Sequence, residues 1–263
     1  MTGPQKAPVF NQAVKALMLK EARQGYWKFL LSAGLLAVVG GATPFAFDFV
    51  IGILQSGEIP DAILNLIPPE QTELPFFLWQ NWHGKTLYQF LTVFSLVFGA
   101  EAIAREFGRG TASYLFSLPV SRRQALAAKC AADLGALALG ALAGTAMLDI
   151  SSRLAHGHAA PGIFYLGLLP ALAGAAVIYA VALFVSARSD DAVKAGAVAA
   201  LAALALSVPT WLPACRQWSV YVQMAGWGLF ASGRFPWTAF GVMIVSALLL
   251  VAAADRRLAS RDV

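Results

Sequence analysis

Residues 106–129, EFGRGTASYLFSLPVSRRQALAAK, interrupt a chain that is otherwise apolar almost throughout. Together with the preceding Arg105, the stretch gathers Arg109, Arg122, Arg123 and Lys129 around one short segment bounded by glycines and a proline. Five cations this close belong in water, so the apolar runs on either side read as membrane spans joined on one face. Gly108 and Gly110 break the helix leaving the first of these runs. Thr111 then caps a short helix through Leu118, which Pro119 terminates. Ser121 caps the next run, with Gln124 three residues on to complete a capping box. A helix of about seven residues falls short of the roughly 12–15 needed for independent stability, so it must dock onto something. Tyr114, Leu115 and Leu118 form an apolar face, ringed by Glu106, Arg109, Arg122 and Arg123. Two readings fit equally on physical grounds: a helix seated in a groove of a cytosolic partner, or an amphipathic loop resting on lipid.

Working outward, the chain of 263 residues is 59% hydrophobic and 13% charged, with a mean hydropathy of +0.66. A soluble domain carries about a quarter charged residues. A bilayer span needs about 20 mostly apolar residues, because each backbone polar group must find its partner within the helix. Six runs meet this, at 27–53, 86–104, 124–150, 162–187, 192–212 and 237–254. The expected fold is an all-α integral membrane protein with six transmembrane helices in one domain, 1–263. The first run is longer than the roughly 7–15 residues of a signal h-region and reads as an uncleaved signal anchor.

Orientation follows from the positive-inside rule. With the N-terminus inside, fifteen Lys and Arg are cytoplasmic and only Lys85, Arg153, Arg216 and Arg234 lie outside, while Glu58, Asp61, Glu70 and Glu73 crowd the first outer loop. Both termini are therefore expected in the cytoplasm. The pI near 9.4 reflects insertion and the anionic inner leaflet, and no nucleic-acid partner is implied. Cys130 and Cys215 fall on opposite sides and cannot pair.

Residues 10–26 place Val14, Leu17 and Met18 at helical spacing with charges opposite, which predicts an interfacial helix on the inner leaflet. The first outer loop carries four prolines, then Trp79 and Trp82, both expected in the aromatic belt. The last outer segment, 213–236, is aromatic but broken by Gly226, Gly228 and Gly233, and predicts a re-entrant or interfacial hairpin. Gly140 and Gly144, and likewise Gly196 and Ala200, stand four apart and favour close helix packing.

Several tempting motifs fail. His83-Gly84-Lys85-Thr86 ends like a phosphate-binding loop but has Trp79 where that motif needs glycine. His156 and His158 near Asp149 lack a metal-site geometry, and Asp190-Asp191 lacks the further aspartates of magnesium-dependent transferases. No Gly-x-Ser-x-Gly or His-Glu-x-x-His occurs, so no catalytic residue is assigned. Glu101 and Asp133 are ionisable groups within spans and hence functional candidates. Arg105 and Lys129, each four residues away, offer them local pairing.

The opening stretch resembles the segment between the second and third spans of type-2 ATP-binding-cassette (ABC) transporter permeases, which reads Glu, Gly-Thr, a short apolar helix, Pro-Val-Ser-Arg and a following Lys. The matching positions are Glu106, Gly110, Thr111, Leu115, Leu118, Pro119, Val120, Ser121, Arg122 and Lys129. One departure is that Gly108-Arg109 intervene before the Gly-Thr. The resemblance implies six spans, an N-terminal interfacial helix and re-entrant structure before the last span. It further implies that 105–123 is a coupling segment seated in a separate cytosolic ABC ATPase subunit, which holds the ATP and magnesium while this chain binds no cofactor. It implies a second permease copy, as homo- or heterodimer, an exporter working by alternating access, and residence in a plasma membrane, bacterial inner membrane, in contact with lipid. In such exporters spans two and five line the path. Here span two offers Tyr88, Gln89, Thr92, Ser95 and Glu101 among phenylalanines, a lining suited to an apolar or amphipathic substrate. The competing function is a membrane anchor or scaffold that recruits a cytosolic partner without transport.

Overall fold

The computed structural model describes residues 19–21, 23–57, 60, 68–111 and 121–261. The apolar runs satisfy their backbones as helices, six of them long and apolar enough to cross a membrane. These are α1 (Tyr26–Gln55), the composite helix Leu74–Gly108, α4 (Arg122–His156), α5 (Ile163–Ser186), α6 (Ala192–Trp211) and α9 (Trp237–Ala259). The composite consists of α2 (Leu74–Asn81), a π-helical turn (Trp82–Leu87) and α3 (Tyr88–Gly108). Between α6 and α9 lie two short helices, α7 (Val220–Ala225) and α8 (Trp227–Ser232), with Gly226 in the left-handed region between them. No strand occurs among the described residues.

Boundaries follow local chemistry. The Ser121 hydroxyl accepts from the Gln124 amide at 3.2 Å while the Gln124 side chain accepts from the Ser121 amide at 2.9 Å, the reciprocal box read from the sequence. α4 stops at Gly157, whose φ of +71° a side chain would oppose. Asp191 caps α6 through the amides of Val193 and Lys194.

α5 is the central helix, packed against α3, α6, α7 and α9; two thirds of its most apolar window is buried, against about a fifth for α1, α6 and α9. Those three peripheral helices leave broad apolar faces uncovered by the rest of the chain. α1 crosses α4 where Gly40 meets Gly144, so closely that a Cβ on Gly40 would collide with the Gly144 carbonyl. Gly140, the other glycine of the sequence pair, faces Ser32 of α1. The glycines thus serve packing within the chain.

The second span corrects the expected boundary. It begins at Leu74 rather than at residue 86, and its early part is not a belt at the membrane surface. Trp79 and Trp82 are fully buried. Their indole N–H groups donate to the Ala225 carbonyl at 3.2 Å and the Thr145 hydroxyl at 3.0 Å. The polar Gln80, Asn81, His83 and Lys85 lower the hydropathy of this stretch, although the helix continues through it. α4 and α9 likewise run beyond the runs 124–150 and 237–254. Residues 10–18 of the expected interfacial helix lie outside the described residues; 19–21 and 23–24 are helical.

Candidate functional site

The starts of α1, α4 and α6 and the ends of α3, α5 and α9 share one end of the bundle, the basic end. An ionised side chain among apolar helices is costly unless paired and hydrogen-bonded, and two lysines here are held that way. Lys28, in the first turn of α1, donates to Asp133 Oδ1 on α4 at 2.7 Å. Asp133 Oδ2 accepts from the Tyr179 hydroxyl on α5 at 3.0 Å. The Lys28 ammonium also stands 4.8 Å from the Phe98 ring centroid on α3. One ion pair thereby joins four helices.

Lys129 lies one turn before Asp133 on α4 yet does not pair with it, contrary to the local pairing expected from their spacing. It reaches the other way, donating to Glu21 at 3.1 Å and to Glu106 at 2.8 Å. Glu106 in turn accepts from the Thr111 hydroxyl at 2.6 Å. The other expected pair does form: Arg105 donates to Glu101 at 3.1 Å. These groups line a cavity of about 460 Å³ whose wall also includes Lys20 and Arg109. The buried Glu21 Oε1 has no hydrogen bond and sits 4.0 Å from the Lys20 ammonium.

Residues 112–120 lie outside the described residues, and with them Tyr114, Leu115, Leu118 and Pro119. Both flanks are described and both are anchored. On the leading side, Thr111 returns to Glu106 and hence to Lys129; Gly110 has φ of +69°, which glycine adopts without strain. On the trailing side, the Arg122 guanidinium donates to the carbonyls of Leu258 (2.8 Å), Ala259 (3.3 Å) and Arg261 (2.8 Å). Arg122 therefore clasps the end of α9, whereas its sequence position suggested only a charged rim around the short helix. Arg123 and Arg109 are exposed. The tail turns back as well: Arg261 donates to the carbonyls of Ala187 and Ser189, pairs with Asp190, and lies 3.6 Å from the Phe107 ring centroid.

A further contact ties α3 to α5 just before this flank. The Ser186 hydroxyl accepts from the amides of Ile103 (3.1 Å) and Ala104 (2.8 Å) and donates to the Ala100 carbonyl at 2.7 Å. It is thus inserted in the ladder between Ala100 and Ala104, a place where a helix bends.

The expected path residues lie in different surroundings along α3. Tyr88 is half-buried edge-on to Tyr221, Gln89 is exposed, and Thr92 donates to the Tyr88 carbonyl at 2.7 Å. Ser95 is fully buried with no hydrogen-bond partner, while Glu101 lines the basic cavity. Glu21, Lys28, Tyr179 and Arg261 belong to the site and were not singled out for it from the sequence. Their signal was available: each is a polar group at the edge of, or within, an apolar run. His156 closes α4, with Nε2 3.1 Å from the carbonyl of Pro44 inside α1.

Six spanning helices with a charged cavity at one end define a multi-pass membrane protein. A family model described as ABC-2 family transporter protein matches residues 6–216, which include the opening stretch and the first five spans. The chain belongs to that family and is a transport permease of the ABC-2 type. No curated protein matches it in sequence.

Proposed function

We propose that this chain is the membrane subunit of an ATP-driven exporter, working as one of two permeases with a separate cytosolic ATPase and carrying no active site of its own. Both termini and the basic end face the cytoplasm of a plasma membrane, as the bias of Lys and Arg requires. Segment 105–123 seats its apolar face, Tyr114, Leu115 and Leu118, in the ATPase. ATP and magnesium are bound by that partner.

The observation that carries this reading is the double anchoring of the segment's flanks. Through Glu106 and Lys129 it is tied to Glu21 and α4, and through Arg122 to the end of α9. A push on 112–120 is thereby delivered to at least three helices as a rigid-body displacement. The Ser186 insertion lets the last turns of α3 follow that push while the rest of the helix stays packed on α5. Alternating access between two permeases would then expose apolar or amphipathic substrate to opposite sides in turn.

The test is affinity capture of the tagged full chain from detergent extract, with and without Leu118→Asp. An ATPase subunit captured by the wild type and lost from the variant is expected, with the variant still inserted and monodisperse. Equal capture by both would sink the docking face. An anchor without transport would keep the ATPase but show no ATP-dependent substrate movement in reconstituted vesicles. Orientation is checked separately: a membrane-impermeant thiol reagent should label Gly157→Cys and miss Ser113→Cys in intact cells. Labelling of Gln217→Cys and Ser232→Cys, both at exposed positions, from the same side as Gly157→Cys supports a re-entrant segment at 213–236.

A further inference from the structure

A second basic surface lies apart from the coupling segment, in the groove between the ends of α5 and α9. It encloses about 420 Å³ and is bordered by Arg188, Arg256 and Arg257, with a floor of Phe184, Leu249 and Ala252. No carboxylate lines it, in contrast to the cavity around Lys129, where acids and bases alternate. None of the three arginines forms an ion pair among the described residues. The Arg188 guanidinium is held 3.9 Å above the Phe184 ring, which orients it without neutralising it.

The end of a helix carries partial negative charge that could occupy nearby cations. Here the last two carbonyls of α9, Leu258 and Ala259, are taken by Arg122 and those of Arg256 and Arg257 by Ser260, and the side chains of Arg256 and Arg257 stand exposed. The apolar part of the groove continues up the helices: Leu249 is 66% exposed on α9. Three guanidiniums at one end and an apolar trough at the other are complementary to a molecule with an anionic phosphate head and an acyl tail.

We infer that this groove is a binding site for an anionic phospholipid, its phosphate on Arg188, Arg256 and Arg257 and one acyl chain along Leu249 and Ala252. Bound there, the lipid bridges α9, which is buried over only about a sixth of its apolar window, to the central α5. The site is independent of ATPase docking, because no residue of segment 105–123 contributes to it.

Each basic residue at a lipid surface is worth about a fivefold gain in affinity for anionic lipid. Native mass spectrometry of the purified full chain, titrated with phosphatidylglycerol or phosphatidylcholine, is expected to show preferential retention of phosphatidylglycerol. The triple variant R188Q/R256Q/R257Q should lose that preference by roughly tenfold or more. R153Q/R216Q/R234Q, with the same loss of charge elsewhere, should keep it. Leu249→Trp retains all three arginines but fills the trough, and should also weaken phosphatidylglycerol binding. Excess inorganic phosphate should fail to displace the lipid, since it lacks the tail. Equal phosphatidylglycerol binding by wild type and the groove triple variant would overturn the site. So would unchanged binding by Leu249→Trp, or full displacement by phosphate, which would reduce the groove to a simple anion site.

Discussion

At the basic end of the bundle, Lys28 and Asp133 meet across two helices in a 2.7 Å ion pair, whereas towards the other end Gly40 and Gly144 bring the same two helices together with no side chain between them. The aromatic end is closed by shape. Trp79 stacks on His83 and Phe230 at centroid distances of 4.2 and 4.9 Å, the Trp82 ring wedges against Gly144, and Met224 fills the space over Gly174. Contacts of this kind have one arrangement, because a packed interior resists small displacements. Ion pairs can exchange partners: Lys129 already divides itself between Glu21 and Glu106. Under the proposed coupling role, the adjustable end is the one that carries segment 105–123.

The largest effect should come from breaking a charge pair from one side only. Asp133→Ala leaves the Lys28 ammonium buried without its counterion and should destabilise the protein by about 3–5 kcal/mol, read as a fall in thermal midpoint in detergent. Replacing the whole cluster, as in K28M/D133L/Y179F, should recover most of that loss, because the desolvation cost disappears with the charges. Recovery of stability without recovery of transport would assign the cluster to the moving machinery. A triple variant as unstable as Asp133→Ala would mean that the pair acts chiefly as a structural clamp.

At the aromatic end no such rescue exists. Gly40→Val must push backbone against backbone at the Gly144 carbonyl and should cost about 1–3 kcal/mol, with aggregation visible on gel filtration. A Gly40→Val protein as stable as wild type would show that this crossing can slide, and that the contrast between the two ends is wrong.

The two ends also differ in how far they could be read from the sequence. Spans and charge bias were legible because lipid imposes them residue by residue: Asp133 stands out within its span, and the Ser121 box is local. What could not be read was partner choice. Lys129 and Asp133 sit at pairing distance along α4, yet each finds a better-placed partner on another helix, which only packing reveals. The aromatic end misled for a related reason. Tryptophan beside prolines and polar residues looks interfacial by composition, but Trp79 and Trp82 find acceptors in Ala225 and Thr145, remote in sequence. With its N–H satisfied, an indole is at home in the core.

An intermediate effect is expected where the two ends communicate. Ser186→Ala removes the hydroxyl inserted into α3 and lets the Ala104 amide return to the Ala100 carbonyl, so the stability change should stay within about 1 kcal/mol. ATP-driven transport in vesicles should fall while ATPase capture persists, because the last turns of α3 then move only with the whole helix. Unchanged transport would remove the Ser186 insertion from the relay.

The smallest effect concerns the tail. Arg122 brings one guanidinium nitrogen, Nη1, to three carbonyls at and just beyond the end of α9, one bond farther from the backbone than a lysine ammonium extends. Arg122→Lys keeps the charge and the positive-inside bias, so insertion should be normal and the loss of stability below about 1 kcal/mol. The change should appear locally instead. The amides of Ser260 and Arg261 are bonded to the carbonyls of Arg256 and Leu258, and they should exchange with solvent several-fold faster once the clasp is loosened. Arg123→Lys, at an exposed neighbouring position, should leave those amides as they were. If the two lysine variants exchange alike at the tail, Arg122 does not fasten α9, and the coupling segment must reach the last span by another route.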